Sequence, residues 1–187
     1  MKPLKSLFLD TEFTGLHQTT TLISLAIVAD TGEYFYAEFN DFDHSAITPW
    51  LQSQVLDNLL LSSGTTISLP PGGKTQQGTR SEIARSLKDW LAELFRKYGP
   101  GRFRFWADVP HYDWVLFCEL FGGALHLPDY IHYMPMDVAT LLYVRGIDPD
   151  TPRAELLNDS SLGGLRHHNA LYDAFLIHRF LLTLNKE

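Results

Sequence analysis

The sequence predicts an α/β fold in which helices flank one mixed β-sheet. Two observations lead to this prediction. The N-terminal third contains three β-rich apolar segments, at residues 7–9, 22–28 and 34–39. The rest of the chain alternates amphipathic helical segments with a further strand at residues 103–107. Strands that come first in a run and then alternate with helices are typical of mixed sheets that are covered by helices.

The first three strands are expected to be neighbours in the sheet. A turn signal at Asp30-Thr31-Gly32-Glu33 separates residues 22–28 from residues 34–39, which predicts an antiparallel hairpin. The strand at residues 7–9 is expected to pair with residues 22–28 across the polar loop that begins at Gly15.

The segment after the hairpin begins with a helix and continues into a long polar stretch. Thr48 followed by Pro49 predicts a helix start, and the helix is expected to run to about Leu60. Residues 62–78 are rich in Ser, Thr, Gly, Pro and Gln, and they are too many for a tight connection. We expect a flexible excursion there, either a plain surface loop or a flap near the substrate that carries Lys74.

A longer amphipathic helix follows. Thr79 and Glu82 have the spacing of a capping box, which predicts a helix start at this point. Apolar residues between Ile83 and Phe95 form one stripe, and Gly99-Pro100-Gly101 ends the helix.

The C-terminal half continues the alternation of helices and strands. An apolar helix is expected at residues 112–121, and residues 131–134 have possible strand character, which gives a sheet of five strands. Asp137 is expected to cap a helix at residues 138–144, and residues 148–161 are expected to form a loop.

Composition limits the class of protein. The chain has 187 residues, of which 45% are hydrophobic and 20% charged, as expected of a single globular domain spanning residues 1–187. A net charge of −7 argues against a general nucleic-acid coat protein, although it permits an enzyme that meets nucleic acid through metal ions. Cys118 is the single cysteine, and no apolar run reaches membrane-spanning length, so we expect a cytoplasmic protein.

Asp10 and Glu12 stand at the end of the first apolar strand. Side chains two residues apart on an extended backbone share a face, so the two carboxylates are expected to repel each other. A divalent cation with a preference for oxygen ligands, Mg²⁺ or Mn²⁺, relieves this repulsion. The alternative interpretation is a strand end with two solvated acids.

Two further acids lie far along the chain. Asp113 is in the first turn of the helix after residues 103–107, and Asp108 competes with it for a role in the site. We favour Asp113, because its helix must pack on the sheet and so bring its first turn towards the strand ends. A capping role for Asp113 is the alternative.

The last helix adds an acid and a candidate base. Asp173 lies within an apolar helical segment and therefore needs a partner. His168, five residues earlier, stands at the start of this helix, where an imidazole can act as a general base. His167 is the nearest competitor for this role.

Taken in order, these motifs resemble those of the DEDD exonucleases. The ordered set is an Asp-x-Glu pair, an Asp that opens a middle helix, and His-x-Ala-x-x-Asp, and it covers nearly the whole chain. It is similar to the histidine subtype, DEDDh, of the RNase T/DnaQ-like superfamily, because Asn169 stands where the tyrosine subtype has Tyr. The sequences around Asp10–Phe13, Trp106-Ala107 and Tyr112-Asp113 resemble the small bacterial exoribonucleases of the RNase AS type.

This resemblance implies an RNase H-like fold with a mixed five-stranded sheet and 3′-5′ exonuclease activity on single-stranded nucleic acid. It implies a preference for RNA, with adenylate tails favoured in some members, and a homodimer. Carried over residue by residue, the metal ligands are Asp10, Glu12, Asp113 and Asp173, and the base is His168. Two Mg²⁺ or Mn²⁺ ions, about 4 Å apart, are expected to take part in hydrolysis to nucleoside 5′-monophosphates.

Substrate contacts are predicted from closeness in sequence to the acids. Phe13, Leu16 and Tyr112 are expected to wedge or stack on terminal bases, and Arg166 to hold a phosphate. Two other functions stay open at this point. The chain is alternatively a proofreading-like DNA exonuclease, or a catalytically silent nucleic-acid-binding module of the same fold.

Overall fold

The computed structural model describes residues 5–62, 69–157 and 165–184, and it confirms the mixed α/β architecture. Six strands form one sheet. They are β1 (Lys5–Phe13), β2 (Leu22–Ala29), β3 (Tyr34–Phe39), β4 (Gly73–Gly78), β5 (Phe103–Ala107) and β6 (Met136–Asp137).

The strand order across the sheet is β4-β3-β2-β1-β5-β6. Strand β2 lies antiparallel to β1 and to β3, which confirms the predicted arrangement of the first three strands. The pairs β1–β5, β3–β4 and β5–β6 are parallel. The C-terminal ends of β1 and β5 therefore lie side by side, and the loops that follow them meet at one edge.

Helices cover both faces of this sheet. Within the described ranges the α-helices are α1 (Pro49–Gln54), α2 (Arg80–Tyr98), α3 (His111–Glu119), α4 (Val138–Val144), α5 (Arg153–Leu157) and α6 (Ala170–Leu184). The predicted caps of α1, α2 and α4 are confirmed, because the side chains of Thr48, Thr79 and Asp137 accept hydrogen bonds from backbone amides of the first helical turn. No helix in these ranges is both long enough and apolar enough to cross a membrane.

Alternation along β1 directs its side chains to two separate apolar clusters. Leu7 and Leu9 pack in the cluster with residues of α2 and α3, whereas Phe8 packs in the cluster with residues of α6. Because the side-chain period of a strand is two, Asp10 and Glu12 share the face of Phe8, and Thr11 shares the face of Leu9. The N-terminal acids therefore face α6, and the residue between them faces α3.

The prediction of five strands is wrong by one, because residues 73–78 form β4. This segment lies in the stretch 62–78 for which the sequence predicts a flexible excursion, and Gly-Lys-Thr-Gln-Gln-Gly itself shows no apolar alternation. It pairs with β3 as an exposed edge strand, where few apolar side chains are needed. Residues 63–68 of the predicted excursion lie outside the described residues.

Two other boundaries differ from the sequence prediction. Residues 131–134 form no strand beyond one bridge between Ile131 and Phe103, and the short strand β6 follows Pro135, which has no amide hydrogen for a sheet bond. The predicted loop at residues 148–161 contains α5, and its last four residues lie outside the described residues.

The first helix is also shorter than predicted, ending at Gln54 instead of about Leu60. The segment that follows this helix is bound by Glu38 of β3, whose carboxylate has no solvent exposure. Glu38 accepts hydrogen bonds from the backbone amides of Leu60, Leu61 and Ser62, at 2.6, 2.8 and 2.8 Å. These amides are therefore drawn to the sheet and leave the helix.

Candidate active site

A cleft of about 1110 Å³ opens where the C-terminal ends of β1 and β5 meet the first turns of α3 and α6. All five residues predicted to form the catalytic set line this cleft, namely Asp10, Glu12, Asp113, His168 and Asp173. The topology brings them together because β1 and β5 are parallel neighbours.

Asp10 and Glu12 lie within β1, which extends to Phe13, whereas the sequence predicted that the strand ends before them. Pairing of β1 with β5 stops at Phe8, whereas its pairing with β2 continues to Phe13. The segment that carries the acids therefore has a neighbouring strand on one side only. The open side is where the residues of α3 approach.

Three carboxylates form a tight cluster in the cleft. Oxygen atoms of Asp10, Glu12 and Asp173 all lie within 4.8 Å of one another. The Asp173 carboxylate is also held from its other side, since Oδ1 lies 2.8 Å from Nδ1 of His167 and Oδ2 accepts a 3.0 Å hydrogen bond from the backbone amide of His168. Two elements distant in sequence, β1 and the first turn of α6, thus contribute to one group of hard oxygen ligands.

Asp113 approaches the same strand from the α3 side. Its Oδ1 accepts hydrogen bonds from the backbone amide of Thr11 at 2.9 Å and from the Thr11 hydroxyl at 2.7 Å. This amide is free for Asp113 because β5 no longer pairs with β1 at this point. Asp113 therefore fixes the residue between Asp10 and Glu12, and it stands beside the three-carboxylate cluster without being part of it.

Asp108, the competing acid, has a different partner. Its Oδ1 lies 2.6 Å from Nη2 of Arg153, a buried guanidinium that also donates to the carbonyl oxygens of Pro149 and Thr151. This contact ties the segment before α5 to the end of β5. Asp108 is thus paired with a guanidinium, whereas among the described residues His167 is the one basic side chain within ion-pair distance of the clustered acids.

Burial and mutual repulsion raise the pKa values of the acids in the cleft. Burial first, and then the charges of Asp173, Asp113 and Glu12, raise the pKa of Asp10 well above its usual range. Burial first, and then the charges of Asp173 and Asp113, raise the pKa of Glu12 to about 8. Burial also raises the pKa of Asp113 to about 6, against its hydrogen bonds from Thr11. A carboxyl group with a pKa as high as that of Glu12 holds its proton at neutral pH unless a cation takes its place.

The raised pKa values of these acids predict how the stability of the metal-free protein depends on pH. Between a pKa of about 4.5 when unfolded and about 8 when folded, Glu12 binds more protons in the folded state. Stability is therefore lost as the pH rises through this window. In EDTA, the melting temperature is expected to fall as the pH rises from about 4.5 to about 8. Glu12→Gln is expected to raise it at the higher pH by about 4–8 °C, corresponding to about 2 kcal/mol.

Differential scanning fluorimetry with and without EDTA measures this effect. Glu93→Gln, on the exposed side of α2, is the matched control and is expected to follow the wild-type curve. A Glu12→Gln protein that melts below the wild type at the higher pH would contradict the prediction.

The two histidines before α6 occupy different environments. His168 adopts a backbone φ of 61°, which is uncommon for a residue with a side chain, and its ring contacts Trp50 edge-on with centroids 5.1 Å apart. Burial lowers the pKa of His168, so its ring is neutral at neutral pH. The hydrogen bond to Asp173 raises the pKa of His167. His168 is therefore the one of the two that is suited to accept a proton.

The predicted substrate contacts are only partly brought to the cleft. Phe13, Leu16 and Tyr112 line it, and Phe13 stacks on Tyr112 with ring centroids 5.4 Å apart. The Leu16 side chain is 77% exposed, as expected of a residue that meets a ligand. Arg166 is exposed and is not among the residues that line the cleft, and its contact with a phosphate stays a prediction.

Three residues of the site were not found from the sequence. Trp50 and Arg153 line the cleft, and Thr11 binds Asp113. Trp50 is 55% exposed in the first turn of α1, and a large aromatic beside a helix cap was the available signal. Arg153 lies in a segment that was predicted to be loop, and its pairing with Asp108 depends on tertiary contact alone.

The fold is shared with known exonucleases. Escherichia coli ExoI in a zinc-bound complex with single-stranded DNA superposes with a TM-score of 0.55 at 12% identity, over 100% of this chain and 42% of that one. Escherichia coli Exonuclease I with a dA16 oligonucleotide gives a TM-score of 0.54 at 12% identity, over 97% of this chain and 41% of that one. The chain thus has the RNase H-like fold of these nucleases and spans about two fifths of their length.

Sequence comparison identifies the family. The model of the 3′-5′ exoribonuclease Rv2179c-like domain matches residues 5–184. The 3′-5′ exoribonuclease Rv2179c of Mycobacterium tuberculosis strain H37Rv is 29% identical over 153 residues, covering 82% of this chain and 83% of that protein. The chain therefore belongs to the Rv2179c-like exoribonuclease family and is a 3′-5′ exonuclease. This confirms the resemblance that the ordered acidic motifs indicated.

Proposed function

We propose that this protein is a divalent-metal-dependent exonuclease that removes nucleotides from the 3′ end of single-stranded RNA and releases nucleoside 5′-monophosphates. The observation that supports it most is the cluster of Asp10, Glu12 and Asp173, whose carboxylate oxygens lie within 4.8 Å of one another. The single domain proposed to carry this activity spans residues 1–187, and a homodimer remains a prediction from the sequence resemblance.

The chemistry of the donor set fits hard divalent ions. Clustered carboxylates with raised pKa values are the ligands that Mg²⁺ and Mn²⁺ prefer, and each bound ion relieves the repulsion among them. We assign Asp10, Glu12, Asp113 and Asp173 as the residues that would hold two ions. Such ions supply an activated water and stabilise the charge that develops on the departing oxygen.

The side chains of the protein have separate roles in this reaction. His168, held neutral by burial, accepts the proton of the water as its oxygen bonds to the phosphorus of the terminal nucleotide. The bond from phosphorus to the 3′ oxygen of the preceding nucleotide breaks, and that oxygen leaves with the electron pair. His167 and the His168 amide hold Asp173, and Asp113 holds the backbone at Thr11, so both carboxylate-bearing elements stay in place.

RNA is the proposed substrate because the family and its Mycobacterium tuberculosis relative are described as exoribonucleases. The deciding experiment compares 5′-labelled single-stranded RNA and DNA of matched sequence, in Mg²⁺, Mn²⁺ or EDTA. The expected result is a ladder that shortens from the 3′ end, only with metal, and faster on RNA. Faster degradation of DNA would replace the RNA assignment, and cleavage in EDTA would overturn the metal requirement.

Leu16 offers a test of substrate contact in the cleft. Leu16→Ala is expected to raise the KM for short RNA oligonucleotides about 5-fold, because packing of one apolar side chain against a base contributes about 1 kcal/mol. The kcat is expected to change less. Leu125→Ala is the matched control, since Leu125 is 98% exposed and does not line the cleft. An unchanged KM in the Leu16 variant would exclude the contact.

A further inference from the structure

We infer that Asn169 is a positioning residue for His168, and that it acts through a buried polar network anchored on Glu38 of β3. The inference rests on the proposed function, in which His168 is the general base. Asn169 directly follows His168 in the chain and is 1% exposed. Its side chain therefore has no solvent to satisfy it and must bond within the protein.

The Asn169 side chain bonds in two directions. Its Oδ1 accepts hydrogen bonds from the backbone amides of Leu171 at 3.1 Å and Tyr172 at 3.4 Å, so it caps α6. Its Nδ2 donates to the backbone carbonyl of Asn58 at 2.8 Å, and it lies 3.5 Å from the hydroxyl of Tyr36. One side chain thus joins the start of α6 to the segment that follows α1.

The network continues to a buried carboxylate. The Tyr36 hydroxyl donates to Oε1 of Glu38 at 2.7 Å, and both residues have no solvent exposure. Glu38 also accepts hydrogen bonds from the backbone amides of residues 60–62. The segment that binds Asn169 is therefore itself fixed to strand β3.

Helix α1 and the segment that follows it contact both His168 and Asn169. Residues 49–62 carry both the Asn58 carbonyl, which binds Asn169, and Trp50, whose ring contacts the His168 ring at 5.1 Å. His168 also has a left-handed backbone conformation, φ 61°, which persists only where surrounding contacts enforce it. Asn169 supplies a contact of this kind at the adjoining residue.

The consequence is a specific loss when the network is cut. Asn169→Ser keeps an oxygen that can cap α6 but has no donor that reaches the Asn58 carbonyl. His168 is then expected to relax, and its ring to leave the position set by Trp50. A displacement of about 1 Å at a catalytic group costs up to about 100-fold in rate, so kcat is expected to fall about 10- to 100-fold. The KM for RNA and the Mn²⁺ affinity are expected to stay within about twofold.

The test measures kcat, KM, Mn²⁺ binding and the ¹H–¹³C signals of the histidine rings in Asn169→Ser. Spectra of His168→Gln assign the His168 signal, which is expected to move in Asn169→Ser as the contact with Trp50 is lost. Asn40→Ser, on an exposed residue after β3, is the control and is expected to match the wild type. Tyr36→Phe, which removes one hydroxyl from the network, provides the same readouts if Asn169→Ser fails to fold.

The outcomes separate this inference from the proposed function. A kcat loss without change in KM or Mn²⁺ affinity, together with a moved His168 signal, supports positioning by Asn169. An unmoved signal, or a loss of Mn²⁺ affinity equal to the loss of kcat, overturns it. Full activity of His168→Gln would instead contradict the base assignment, while the His168 signal would still decide whether Asn169 positions the ring.

Discussion

Asp10→Asn is expected to reduce the kcat for RNA by about 10³-fold or more, because in the proposed mechanism several kcal/mol of transition-state stabilisation would come from metal ions that Asp10 helps to hold. The substitution keeps the shape of the side chain and removes one negative charge from the cluster that it forms with Glu12 and Asp173. The same change is expected to stabilise the metal-free protein at a pH high enough to ionise Asp10, since burial and neighbouring acids disfavour the charge and raise the pKa of Asp10. Activity and stability should therefore move in opposite directions.

Titration with Mn²⁺ distinguishes this cause from general damage to the fold. The wild type is expected to gain thermal stability as Mn²⁺ is added, because the ion binds only the folded state, and Asp10→Asn is expected to gain little. Asp89→Asn, an exposed acid on α2, is the matched control and is expected to retain both the activity and the response. An Asp10→Asn protein that responds to Mn²⁺ as the wild type does would argue against metal binding at this cluster.

Sequence patterns predicted the parts of the site that depend on local structure. Asp10 and Glu12 are two residues apart, and strand geometry alone places them on one face. Asp113 and Asp173 lie in first helical turns that the apolar pattern indicated. The order of these motifs then predicted the exonuclease class, which the family match confirms.

The sequence did not predict features that depend on pairing between distant segments. Strand β4 is polar and is stabilised by its position beside β3, so its own residues carry no strand pattern. In the sequence Glu38 is a single acid in an apolar strand. The three backbone amides that donate to it come from residues 60–62, which only the fold brings close. The contact of Asp113 with Thr11 likewise depends on the sheet register. Pairing of β5 with β1 ends at Phe8, three residues before Thr11, so the Thr11 amide is left for Asp113.

Substitution of His168 is expected to have a far larger effect than substitution of its neighbour. His168→Ala should lower kcat about 10²- to 10⁴-fold, the usual contribution of a general base, with little change in KM. His167→Ala should lower it about 10-fold or less, because the Asp173 carboxylate still accepts the hydrogen bond of the His168 amide when the His167 ring is gone. Each variant is the matched control for the other, since the centroids of the two rings are 4.0 Å apart and both residues line the same cleft.

The dependence of kcat on pH gives a second measure of the same assignment. A general base must be unprotonated, and burial lowers the pKa of His168, so the acidic limb of the wild-type profile is expected to fall below about pH 6.5. This limb should persist in His167→Ala and disappear from the residual activity of His168→Ala. Equal losses of kcat in the two variants, with the acidic limb abolished only in His167→Ala, would make His167 the base. The ring that hydrogen-bonds Asp173 would then be the one that accepts the proton.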